Sequence, residues 1–125
     1  MNIKNNISYS ISSDSRFKKA LELFNSGNWY LAHDTFEELW HETNGPERLS
    51  LQGLLQIAVA QVHLENGNIN GATILYGEGV GRLKREGTPD LGLNMDTLVH
   101  SLETRLKLLQ ESKNVESYSI PILKE

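Results

Sequence analysis

The sequence predicts an all-α domain, a compact bundle of about five helices made of two similar hairpins closed by a C-terminal helix. Three observations carry this. Apolar residues recur at spacings of three and four through most of the chain. No stretch alternates apolar and polar residues with the period of two of a half-buried strand. Glycine–asparagine pairs punctuate the helical stretches, at Gly27-Asn28, Asn44-Gly45 and Gly67-Asn68.

Met1 to Asp14 is rich in Asn and Ser, lacks helical periodicity and reads as a flexible arm, 1–14. Asp14 or Ser15 suits the cap of a first helix running to about Phe24. At Asn25-Ser26-Gly27-Asn28 the glycine fits a left-handed C-cap and Asn28 a new N-cap. A second helix follows from Trp29 to Thr43. Asn44-Gly45-Pro46 ends it, and proline is at home in the first turn of the next helix. This third helix runs to about Glu65. It carries Leu51, Leu54, Leu55, Ile57, Ala58 and Val62 around most of its circumference, which predicts a central position. Asn66-Gly67-Asn68 repeats the punctuation before a fourth helix over Ile69 to Arg85, which Gly87-Thr88-Pro89 breaks. Met95, Leu98, Leu102, Leu106 and Leu109 give a fifth, amphipathic helix. The folded domain is thus expected over 15–112, with a tail over 113–125. In that tail Ile120-Pro121-Ile122-Leu123 is apolar enough to dock, although Pro121 opposes regular structure.

A shift of about 40 residues lays Ala20, Gly27, Asn28, Ala32 and Glu38 on Ala60, Gly67, Asn68, Ala72 and Glu78. Each copy reads helix, Gly-Asn turn, helix, with a small residue after the turn that lets the two helices approach. The pattern resembles tetratricopeptide-like hairpins, but two copies fall short of a solenoid. Gly71, Gly77, Gly79 and Gly81 weaken the fourth helix by up to about 1 kcal/mol each relative to Ala. They suit close helix contact or self-association through a flat face, so a homo-oligomer is one expectation. Gly77 to Gly81 lacks the preceding strand and the spacing of a phosphate loop.

At 125 residues, 38% hydrophobic and 22% charged, the chain has the size and composition of one globular domain. It has no apolar run of the ~20 residues that span a bilayer, and Met1 to Ser15 carries no secretory signal pattern. With no cysteine, disulfides, thiolate metal sites and cysteine nucleophiles are excluded. A cytoplasmic location off the membrane is expected. The net charge of −4 argues against nucleic acid as partner. The one dense basic cluster, Arg82, Lys84 and Arg85, sits where a helix end favours cations.

Chemistry-bearing residues gather on the second and third helices. At about 100° per residue, Trp29, Ala32, Phe36, Leu39 and Trp40 form the apolar stripe of the second helix, and Asp34, Glu38 and Glu42 lie opposite. His33 falls inside the stripe and Glu37, four residues on, at its edge. On the third helix Gln52, Gln56 and His63 form a narrow polar stripe. If the two stripes face each other, His33, Glu37, Gln52, Gln56 and His63 make one polar cluster walled by tryptophans. Three functions fit such a cluster. It can be a buried network that fixes helix register. It can belong to a module binding an unknown protein or small-molecule ligand, with Trp29, Tyr30, Trp40 and Tyr76 as anchors and the acidic face selecting basic partners. It can hold a divalent metal, Zn, Mn, Fe or Ni, through His33, Glu37 and His63, or act without metal as an acid–base pair. No other cofactor is expected. His41 and His100 fall at polar positions and suggest no specific role.

At these residues the chain resembles the "domain of unknown function 309" family. That family's pattern is His, Glu four later and Trp three after that, here His33-Asp34-Thr35-Phe36-Glu37-Glu38-Leu39-Trp40. A Gly-Leu-Leu/Ile-Gln-Ala-type segment follows, here Gln52-Gly53-Leu54-Leu55-Gln56-Ile57-Ala58. Then come a histidine, His63, and an Asn-x-x-Gly-Ala turn, Asn68-Ile69-Asn70-Gly71-Ala72. Asp34 stands where the family usually has Glu. The resemblance spans roughly Phe17 to Gly87; it implies a small all-α bundle and no established activity.

Overall fold

A computed structural model describes residues 10–120 and 123–124. Among the described residues there is no strand. Five helices follow in order: α1 (Ser15–Asn25), α2 (Trp29–Glu42), α3 (Glu47–Glu65), α4 (Ile69–Leu83) and α5 (Met95–Gln110). Short 3-10 helices stand at Ile11–Ser13 and Val115–Ser117. The expected helix bounds hold to within about two residues, the ordinary scatter at frayed ends. No helix among the described residues is long and apolar enough to cross a membrane. Most of the expected N-terminal arm lies outside the described residues. Its last part is held in place: Ile11 is buried, and the Asp14 carboxylate caps α1 by accepting from the Arg16 N–H at 2.8 Å.

The two hairpins share one turn. Gly27 after α1 and Gly67 after α3 take φ of 83° and 76°, a left-handed conformation that glycine adopts without steric penalty. The next amide reaches back over the helix end in each case, Asn28 N–H to the Leu23 carbonyl and Asn68 N–H to the His63 carbonyl, both at 2.8 Å. This is the Schellman termination, so the repeat in sequence is also a repeat in structure. Short connections make successive helices antiparallel. Helix α3 accordingly lies between α2 and α4, with Leu51, Leu54, Ile57, Ala58 and Ala60 buried. At the α3–α4 crossing Gly53 meets Gly79. A β-carbon on Gly79 would stand 2.8 Å from Ile57 Cδ1 and 3.0 Å from the Gly53 carbonyl oxygen. Gly77 and Gly81 meet nothing within 4 Å, so among the glycines inside α4 it is Gly79 that serves this crossing.

Helix α5 closes the bundle with a charged residue in its apolar seam. Leu98, Leu102, Arg105 and Leu109 are all buried, and Arg105 is fully so. Its Nε donates to the Tyr76 hydroxyl at 2.8 Å, and Tyr76 donates in turn to Gln61 Oε1. Its Nη1 donates to the Tyr118 and Val115 carbonyls and its Nη2 to Gln61. One guanidinium thus ties α3, α4, α5 and the C-terminal segment together. Burial raises the Tyr76 phenol pKa, against the opposing pull of Arg105, and so keeps the hydroxyl a donor. The tail docks as its apolar composition suggests: Leu123 is buried and exchanges two hydrogen bonds with the Asn25 amide, at 2.8 and 3.0 Å.

Across the α1–α2 pair, Arg16 grips Glu42 with both Nη groups (2.8 and 3.0 Å), Asp14 at 3.0 Å and Glu38 at 3.4 Å. Hydrogen bonds from Arg16 hold the Asp14 and Glu42 carboxyls below the usual carboxylate range. Such lowered values stabilise the fold above the unfolded-state pKa of about 4, and the effect disappears as pH falls through the folded-state values.

Two outcomes follow. Arg105→Ala leaves Tyr76, Gln61 and two carbonyls short of a buried donor, and should lower unfolding stability in urea by about 3 kcal/mol or more; a loss under about 1 kcal/mol would mean the network is dispensable. In thermal melts at several pH values, Arg16→Ala should melt below wild type near pH 6. The gap should close as the pH drops below about 4.

Candidate functional site

Helix α2 uses one line of side chains for packing and another for the surface. Trp29, Ala32, Phe36 and Leu39 are buried. Phe36 meets Phe17 with centroids 6.2 Å apart and Trp29 meets Phe24 at 5.0 Å, both edge to face, which seats α2 on α1. Rotation by about 100° per residue puts Tyr30, His33, Asp34, Glu37, Trp40 and His41 together on the neighbouring flank. That flank turns toward α3: Arg48, in the first turn of α3, lays its guanidinium 3.9 Å over the Trp40 ring centroid. His41 stands edge-on to the same ring at 5.0 Å.

His33 lies at the margin of the packed line and not inside it. Its side chain keeps 22% of its surface, Glu37 keeps 44% and Tyr30 as a residue 66%. The Tyr30 ring stands edge-on to the imidazole at 6.3 Å. His33 Nδ1 is 3.3 Å from Asp34 Oδ1, and its Nε2 is 4.0 Å from Glu37 Oε2. A buried network around His33 and Glu37 is therefore not what the helix builds. The reason is angular: the buried line of α2 runs through 29, 32, 36 and 39, with Trp29 and Phe36 set on α1, and His33 and Glu37 fall beside that line at the solvent edge.

The glutamines and His63 go elsewhere. Gln56 is buried on the side of α3 that also carries Gly53 and Ile57, and so faces α4. It donates to Glu78 Oε1 at 3.0 Å and accepts from Arg82 Nη1 at 3.1 Å. His63 belongs to the hairpin turn. Its carbonyl receives the Asn68 N–H, and its ring Nδ1 pairs with the Asn68 side-chain amide at 3.2 Å. Gln52 is half-buried on α3, on a face shared with Leu55 and Val59. The structure thus keeps His33, Glu37 and Trp40 on one flank and does not bring Gln56 or His63 to them. Nor is the acidic face an uncommitted surface. Arg16 engages Glu38 and Glu42, and Asp34 pairs with His33.

Among the described residues, one group of three or more metal-binding side chains gathers its ligand atoms within 4.8 Å of one another: His33, Asp34 and Glu37. His63 drops out of the expected ligand set and Asp34 enters it. The two carboxylates stand at opposite ring nitrogens. An ion at Nε2 and Glu37 would leave Nδ1–H to be held by Asp34, the common orientation of a metal-binding histidine.

Sequence reasoning placed Asp34 on the far side of α2 and passed over Arg48 and Arg105. Asp34 follows His33 directly, within reach of its Nδ1. Arg105 was findable, since Leu98, Leu102, Arg105 and Leu109 keep the spacing of four, three and four that marks a core seam. Arg48 carried no such signal, because its meeting with Trp40 depends on the path of the connection at 43–46.

Residues 17–75 match the family described as Domain of unknown function (DUF309). No curated protein matches the chain. The matched stretch runs from α1 into α4 and takes in His33, Glu37, Trp40, Arg48, Gln52, Gln56 and His63, while Arg105 lies outside it. The protein carries a DUF309 domain over residues 17–75, an all-α stretch that takes in the first hairpin, α3 and the start of α4.

Proposed function

We propose that the domain is a binding module for a protein or small-molecule ligand, and that the flank of α2 with Arg48 is its recognition face. One observation carries the reading. Tyr30, Trp40 and Arg48, the residue types that dominate binding hot spots, share this flank with His33 and Glu37, beside the buried line of α2, and of Tyr30 and Trp40 only the tryptophan packs against the core edge. A side chain kept at the solvent edge adds little to the fold. His33→Ala and Glu37→Ala should each change unfolding stability by no more than about 0.5 kcal/mol, as surface substitutions do. A loss of several kcal/mol in either would assign the pair a structural role and sink the recognition face.

A second reading, a divalent-metal site, is favoured by the closeness of the His33, Asp34 and Glu37 ligand atoms. Calorimetric titration of chelator-stripped protein with Zn, Mn, Ni and Fe(II) tests it. On this reading micromolar binding is lost in His33→Ala and weakened in Asp34→Ala, and His63→Ala binds like wild type. Heat that survives His33→Ala, or no heat at all, removes the metal reading.

A further inference from the structure

We propose that Arg48 and Trp40 form a receiving site for an oxyanion, the carboxylate or phosphate of a small molecule. The proposal rests on reading this flank as a recognition face and names the chemistry it would take.

Two buried side-chain nitrogens among the described residues have no hydrogen-bond partner, Trp40 Nε1 and Arg48 Nε. Buried polar atoms are paired in the great majority of cases, and exceptions mark strain, a functional role, or a bound water or ion. Here both exceptions fall at one place, on two side chains stacked 3.9 Å apart, and both atoms are N–H donors. Neither finds an acceptor among the described residues.

The rest of the guanidinium tells the same story. Arg16, Arg82 and Arg105 all donate to oxygen acceptors. No ion pair or hydrogen bond engages the Arg48 side chain among the described residues. Its Nη groups are not among the buried orphans, so they reach solvent. Stacking on the indole sets the plane of the fork and covers its Nε edge, so the outer Nη edge is the one presented to a two-oxygen anion. Arg48 also sits in the first turn of α3, where the helix dipole favours negative charge, and Pro46 supplies no side-chain cap. An oxyanion meets the outward edge of the fork first. A small slide of the guanidinium off the ring then opens Arg48 Nε and the indole N–H to its oxygens.

Indole N–H resonances of the full-length, 15N-labelled protein read this directly, with Trp40→Phe assigning the Trp40 signal. Inorganic phosphate and acetate are titrated separately against sodium chloride at matched ionic strength. A saturable downfield shift of the Trp40 indole proton is expected with at least one of them, with the Trp29 signal unmoved. The tighter of the two identifies phosphate or carboxylate as the ligand group. Arg48→Gln should abolish the shift. Arg48→Lys, which keeps the charge and lacks the fork, should weaken binding at least tenfold; its dispersed amide spectrum would certify the fold.

An indole signal that responds to chloride alone, or to none of these anions, would overturn the proposal. So would a Trp40 signal that moves on Glu37→Gln or Glu47→Gln with no anion added, because the acceptor would then be the protein's own carboxylate. If phosphate and acetate leave the indole unmoved while His33→Ala is as stable as wild type, the oxyanion site fails and the recognition face stands. A destabilised His33→Ala with a normal phosphate response would do the reverse.

Discussion

Helices α3 and α4 approach so closely that a single β-carbon at Gly79 would meet the backbone of Gly53. Much of the molecule is arranged around that crossing. Because the two helices are close, Gln56 can reach both Glu78 and Arg82 on one side of the seam. Farther along the seam Gln61 and Tyr76 meet and present their oxygens to Arg105. A buried guanidinium is tolerable only if nearly all its N–H groups find acceptors. Here a glutamine, a tyrosine and two backbone carbonyls do this, with the exposed Glu116 carboxylate 3.9 Å away. The crossing therefore reaches as far as α5 and the C-terminal segment, whose carbonyls are among those acceptors.

Helix α2 shows how one amphipathic helix divides its perimeter. Its narrow apolar line is buried, with Trp29 and Phe36 set edge to face on α1, and Arg16 takes Glu38 and Glu42 on the far side. The third sector holds two carboxylates, two imidazoles, a tyrosine and a tryptophan, and the tryptophan is reached by an arginine from α3. Nothing in the packing of α1 against α2 demands those residue types there. Half-exposed polar groups next to an aromatic ring and a stacked guanidinium are the residue types that recognition surfaces commonly use. The candidate metal group and the proposed oxyanion site lie on this same flank with opposite charge preferences, a cation at His33 and Glu37 and an anion at Arg48.

The sequence by itself determined the five helices, their bounds and their pairing into two hairpins. These features depend on local chemistry: a glycine that takes positive φ, an asparagine that restarts a helix, and leucines at helical spacing. The central place of α3 was legible too, since a helix that is apolar over most of its circumference must be covered on several sides. The tertiary structure decided which polar residues meet. His33 and His63 belong to one cluster only if the stripes of the second and third helices face each other, and periodicity fixes only the angle of a residue about its own helix. It does not say which neighbour covers that angle, and the packed bundle leaves His33 at the solvent edge, turns Gln56 to α4 and holds His63 in its own turn. The meeting of Arg48 with Trp40 and the closure of the network on Arg105 depend on loop path and helix separation. Both are set by the summed packing of the bundle and by no short stretch of sequence.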